Sequence, residues 1–119
     1  MAGEKNFENR IKQFLQAEKC WCLKHWGGGG FTKAGIPDLL ICCNGRFIAV
    51  EVKGPGGRAT DLQRYTLDQI NNAGGLGLIL YPNSFDQFKQ LVKQINDLPP
   101  CQPSGVGGEF NNCNGHIAG

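Results

Sequence analysis

The dipeptide Asn44-Gly45 stands between two apolar runs, and few features constrain a chain as tightly. Asn-Gly takes up positive φ at both positions and closes a two-residue hairpin whose twist suits the flanking strands. With Asn44 and Gly45 as the turn, Cys43 pairs with Arg46, and counting outward pairs Asp38 with Glu51. Directly opposed residues on antiparallel strands hold their Cβ atoms about 4.5–5.5 Å apart, where like charges repel. Lys53 lies two residues past Glu51, on the same face and about 7 Å along the strand. A divalent cation is the simplest counterweight to the two acids.

The same register sorts the remaining side chains. Leu40, Cys42, Phe47 and Ala49 share the face of Asp38 and Glu51, while Leu39, Ile41, Cys43, Ile48, Val50 and Val52 fill the other. Near-continuous apolar runs are the mark of strands covered on both sides, as in the middle of an α/β sheet. The charged cluster is therefore expected to be partly buried.

Around the hairpin, Phe7, Ile11, Phe14 and Leu15 follow helical spacing and predict an amphipathic helix over residues 4–19, followed by an extended segment from Cys20 to Trp26. The Gly27–Gly30 run begins a loop that continues to Gly35, and the hairpin strands cover Asp38–Cys43 and Arg46–Lys53. No Gly-Lys-Ser/Thr follows the glycines, so they form no phosphate cradle of the P-loop kind. Gly54-Pro55-Gly56-Gly57 breaks the chain, Thr60 to Gln63 has the form of a capping box opening a second helix, and Gly74-Gly75 ends that helix. Leu76–Tyr81 reads as a buried strand, parallel to an earlier one because it follows a helical crossover. Ser84 with Gln87 repeats the capping-box form before a third helix marked by Phe85, Phe88, Leu91, Val92 and Ile95, which Pro99-Pro100 stops. The predicted order is αβββαβα, with residues 1–98 as one domain and 99–119 as a flexible Gly/Asn-rich tail.

At 119 residues the chain has room for one core. It holds no apolar run of about 18 residues, and its start lacks the hydrophobic segment of a secretion signal, so a cytoplasmic protein with no membrane partner is expected. A net charge of +2 gives no general basic coat. Any nucleic-acid contact must come from a local patch, for which Lys24, His25, Lys33, Arg58 and Arg64 are the candidates. The six cysteines form no Cys-x-x-Cys pair and read as reduced core thiols, and His25 and His116 are too far apart in sequence to suggest a zinc pair.

This arrangement resembles the PD-(D/E)xK nuclease superfamily and, within it, the virus-type replication-repair nuclease (VRR-NUC) family. The residues that carry the resemblance are Gly35-Ile36-Pro37-Asp38, Glu51-Val52-Lys53, Gly57 followed by Gln63 at a helix start, and Gly74-Gly75. The likeness spans residues 6–95 and implies an α/β, restriction-endonuclease-like αβββαβ core with a mixed four-stranded sheet flanked by helices. It further implies a Mg²⁺- or Mn²⁺-dependent endonuclease that hydrolyses DNA phosphodiester bonds, often at branched sites. Small stand-alone members resemble Holliday junction resolvases and are expected to act as homodimers in replication and repair, a phage origin being compatible with the family.

On that resemblance, Asp38 and Glu51 hold the cation with the backbone carbonyl of Val52 as a third ligand. Lys53 positions or helps deprotonate the attacking water. Glu8, beside the inward stripe of the first helix, either joins the metal site or borders the apolar face. Gln63 either orients groups at the site or serves Thr60 as a capping partner. A non-catalytic DNA-binding module and a nuclease of RNA or of free DNA ends are the competing readings; the intact Asp38, Glu51 and Lys53 speak against the first.

Overall fold

The computed structural model describes residues 2–25, 35–101 and 108. In chain order the elements are α1 (Ala2–Ala17), β1 (Trp21–Lys24), β2 (Leu39–Cys43), β3 (Arg46–Val52), α2 (Asp61–Asn72), β4 (Leu76–Leu80), a short 3-10 turn (Pro82–Ser84) and α3 (Phe85–Asn96). The strands form one sheet in the order β1-β2-β3-β4, antiparallel across the first three and parallel between β3 and β4. This is the mixed four-stranded, restriction-endonuclease-like αβββαβ core, with α3 added after it.

Asn44 and Gly45 make the turn at φ 53° and 82°, and the ladder runs from Cys43↔Arg46 to Leu39↔Val50. The turn also closes α3. Asn44 Nδ2 donates to the carbonyl of Ile95 in the last turn of α3 at 2.9 Å, which also accepts the Leu98 N–H at 3.1 Å, and to the carbonyl of Leu98 just past the helix at 2.8 Å. Arg46 Nη1 donates to the carbonyl of Pro99 at 3.1 Å, and Cys101 N–H to that of Asn44 at 3.4 Å. Gly45 has no room for a side chain, since a Cβ there would lie 2.6 Å from the Cys101 carbonyl oxygen. Residues 99–101 are thus held against the hairpin tip.

The core lies on one face of the sheet. Leu39, Ile41, Cys43, Ile48, Val50 and Val52 are fully buried there against Phe7, Ile11 and Leu15 of α1 and Phe85, Phe88, Val92 and Ile95 of α3. Phe7 and Phe14 meet the Phe85 ring edge-on at 5.4 and 6.1 Å, joining the two helices. On the other face α2 covers only part of the sheet. Asn71 exchanges two hydrogen bonds with the backbone of Gly77, and Ala49 and Glu51 are buried, but Phe47 is 44% exposed, Trp21 59% exposed, and Cys42 open. The expectation of cover on both sides of the hairpin therefore fails at Cys42 of β2 and Phe47 of β3, because a helix of three turns cannot roof four strands.

Other expectations shift locally. The first helix ends at Ala17, where Lys19 takes φ +61° and Cys20 N–H bonds to the Leu15 carbonyl at 2.9 Å, a left-handed helix stop on a lysine instead of a glycine. The box at Thr60 and Gln63 forms as expected, but the one at Ser84 and Gln87 does not. Pro82 starts a 3-10 turn that leaves Ser84 at φ −111°, ψ 10°, outside the extended backbone from which a serine side chain reaches its helix. Cys42 is exposed and so is no core thiol, while Cys43 is buried and Cys20 and Cys22 partly so.

Candidate active site

The carboxylates gather where the hairpin strands end. One step beyond Leu39↔Val50 aligns Asp38 with Glu51. Gly35, at φ +86°, lets the loop before Asp38 press on α2 so closely that a Cβ would lie 2.7 Å from Leu62 Cγ. Asp38 is then fixed from two sides: its carbonyl accepts the His25 N–H at 2.8 Å, and its Oδ2 accepts the Val52 N–H at 2.8 Å. Oδ1 takes no part in that bond and lies 3.9 Å from Lys24 Nζ.

Strand alternation aims a further oxygen at the same place. Lys53 N–H bonds across to the Leu80 carbonyl on the β4 side, whereas Val52 N–H points to Asp38 on the β2 side. The N–H and C=O of one extended residue share a side, so the Val52 carbonyl also faces the end of β2. Glu51, in the middle of this edge, is only 2% exposed. A carboxylate so deeply buried is costly unless positive charge or hydrogen-bond donors compensate it.

Positive charge arrives from β1. Lys24 pairs with Leu39 in the ladder, next to Asp38, and its Nζ lies 2.6 Å from Glu8 Oε1 and 3.9 Å from Asp38 Oδ1. Lys12, one turn along α1, reaches the other oxygen of Glu8 at 4.0 Å. Glu8 and Asp38 are therefore brought together through a lysine. Sequence reasoning assigns Lys24 to DNA contact and misses this bridge, because no turn motif fixes how β1 registers against β2.

Among the described residues no three His, Cys, Asp or Glu side chains converge closely enough to hold a metal ion. The donors at the strand ends, two carboxylates and a backbone carbonyl, are hard oxygens of the kind Mg²⁺ or Mn²⁺ accepts while keeping several waters. The residues fit such an ion on Asp38, Glu51 and Val52.

The other candidates are placed differently. Lys53 follows β3 directly and is half-buried beneath the Gly54–Gly57 turn, which Tyr81 Oη anchors by donating to the Gly57 carbonyl at 2.8 Å. Gln63 sits in the cap of α2, its Oε1 accepting the Thr60 N–H at 2.8 Å while its own N–H bonds Thr60 Oγ1 at 3.1 Å, so only its Nε2 is left for the site. Arg58 and Arg64 are exposed and His25 is half-buried, but Lys33, the Gly27–Gly30 run and His116 lie outside the described residues. Burial pushes the thiols of Cys43 and Cys22 up from their ordinary range, the Cys20 hydrogen bond adding to the effect at Cys43. They are protonated at neutral pH and are neither nucleophiles nor ready metal ligands.

No helix among the described residues is long and apolar enough to cross a membrane. No curated protein and no solved structure matches the chain. A model of the VRR-NUC domain family matches residues 5–81, a stretch that runs from α1 through β4 and takes in Glu8, Asp38, Glu51, Lys53 and Gln63. With well over half of its 119 residues in that match and the core in the corresponding order, the chain belongs to the VRR-NUC nuclease family.

Proposed function

We propose that this nuclease domain is a Mg²⁺- or Mn²⁺-dependent endonuclease that hydrolyses DNA phosphodiester bonds and prefers branched substrates such as four-way junctions. The observation that carries the reading is the joining of Asp38 to Val52 at 2.8 Å beside the buried Glu51, which gathers three hard oxygen donors at one strand edge.

In this reading Asp38 Oδ1, the Glu51 carboxylate and the Val52 carbonyl hold the cation. When bound, the ion supplies a Lewis acid that polarises the scissile phosphate and lowers the pKa of a water. The Val52 N–H holds Asp38 in one orientation, so the donor set is formed before substrate arrives. Lys53 orients the attacking water and offsets negative charge developing on the phosphorus centre. The Gln63 Nε2 is the group available to steady water or phosphate. His25, Lys33, Arg58 and Arg64 contact the DNA backbone, which positions the duplex without reading its sequence. Symmetric cleavage of a four-way junction takes two such sites, and the working form is a homodimer.

The test is to incubate the purified protein with linear duplex, flap, single-stranded and four-way DNA and with RNA, each in Mg²⁺, Mn²⁺ or EDTA. Internal cleavage is expected with either metal, most on the four-way substrate, and none in EDTA. Failure to cut any DNA by a folded, dimeric sample would overturn the reading, and cutting confined to RNA or to free ends would redirect it.

A further inference from the structure

Lys24 lies between two carboxylates at the edge of the site. Its ammonium lies 2.6 Å from Glu8 and 3.9 Å from the Asp38 oxygen that Val52 leaves open. The three side chains are only 20%, 12% and 28% exposed, so their charges interact with less screening than surface charges do. Glu8 has a lysine on each carboxylate oxygen, Lys24 on one and Lys12 on the other.

We infer that Lys24 is a resident cation of the site: it neutralises Glu8, keeps that carboxylate off the metal, and limits the site to one divalent ion that must bind against its charge. The inference rests on the proposed cation position at Asp38 and Glu51. It goes further by giving Glu8 to Lys24 instead of to the ion.

The geometry argues for this in two ways. A divalent ion about 2.1 Å from Asp38 Oδ1 would stand no more than about 6 Å from the Lys24 ammonium, close enough to repel it. A second ion at Glu8 would need the position the ammonium already holds. Were Lys24 only a staple between α1 and β1, its removal would lower stability and leave metal affinity alone. As a resident cation it acts on affinity and stoichiometry as well, a readout a staple does not move.

Mn²⁺ binding in the absence of DNA, measured by calorimetry and by the electron paramagnetic resonance of free Mn²⁺, tests the assignment on the wild type, Lys24→Met, Lys24→Arg and the double variant Glu8→Gln/Lys24→Met. The wild type is expected to take one ion. Lys24→Met should bind Mn²⁺ about tenfold tighter or more, or admit a second ion; that factor is the repulsion between a divalent and a unit charge about 6 Å apart even at the dielectric of water. Lys24→Arg should bind as the wild type does, and the double variant should return close to wild-type affinity because Glu8 no longer contributes. If Lys24→Met folds only with metal, the rise of its melting temperature with Mn²⁺ concentration gives the same affinity. Unchanged or weaker binding of one ion by Lys24→Met would overturn the inference, as would a gain that survives intact in the double variant. Absence of Mn²⁺ binding by both wild type and Lys24→Met is a separate signature, which brings down the proposed cation site itself and the role of Lys24 with it.

Discussion

The Asp38 carboxylate is bonded to the main chain of Val52, 14 residues away, at 2.8 Å. A side chain at the start of one strand thereby extends the ladder that ends at Leu39↔Val50. One oxygen of Asp38 holds the strands together while the other faces Lys24. Substitutions at this residue consequently separate folding from chemistry.

Asp38→Asn keeps an acceptor for the Val52 N–H, and Asp38→Ala removes it. Asparagine should leave the melting temperature close to wild type, whereas alanine should cost about 1–3 kcal/mol, the penalty for a backbone donor left without its partner. Both should abolish cleavage. Urea melts paired with a cleavage assay check this; equal stabilities would show that the bond contributes nothing.

Glu51→Gln tests the buried acid. Glutamine keeps the size of the buried side chain and one of its oxygens, so the variant should still fold in EDTA. It should also lose the metal-induced rise in melting temperature, together with cleavage. Thermal scans with and without Mn²⁺ give the answer, and a retained metal response would exclude Glu51 as a ligand.

Lys53→Ala should lower the cleavage rate by about 10²–10⁴-fold, the usual effect of removing a group that handles a proton in the transition state. DNA affinity and melting should stay near wild type. Single-turnover kinetics and a gel-shift titration are the measurements, and undiminished cleavage would remove Lys53 from the mechanism.

Thr60 and Gln63 share one capping box, so the two can be set against each other. Thr60→Ala should cost about 1 kcal/mol with cleavage retained in the folded fraction. Gln63→Ala should cost a similar amount and lower cleavage as well. Equal cleavage by both variants, compared below their melting temperatures, would leave Gln63 a cap alone.

The raised thiols set an alkaline limit. Cys43 and Cys22 keep their protons in the folded chain at pH values where the unfolded chain, whose thiols ionise near pH 8.5, releases them. The folded state then binds more protons, so their contribution is fully present below about pH 8.5 and declines as pH rises beyond it, by at most about 1.4 kcal/mol per pH unit for each thiol. Cys43→Val should make the stability profile from pH 8 to 10 shallower. Parallel profiles for variant and wild type would refute the link.

How much of this was legible in the sequence depends on how local the determinants are. The β2–β3 register follows from Asn44-Gly45 because both turn residues adopt the positive φ their chemistry favours, and the pairing of Asp38 with Glu51 is then arithmetic. The box at Thr60 is equally local and forms as read. Ser84 carries the same pattern, yet Pro82 sets the backbone before the serine can act, so the motif fails two residues downstream of a stronger constraint. The bridge from Lys24 to Glu8 and Asp38 joins three elements far apart in sequence and depends on the register of β1, which no short motif encodes. The open face at Trp21, Cys42 and Phe47 escaped for a related reason: alternation sorts side chains by face but does not say how far the roofing helix extends.

The grip of Asn44 on the carbonyls of Ile95 and Leu98 reaches past the family match, which stops at residue 81. The hairpin that carries both acids is thus clamped at its far tip by a segment outside the shared domain. Phe85, Phe88, Val92 and Ile95 shield the underside of those same strands. A fragment trimmed to the matched stretch would uncover that underside to water and lose the clamp, so in this chain the shared domain stands on a foundation that its own C-terminal helix supplies.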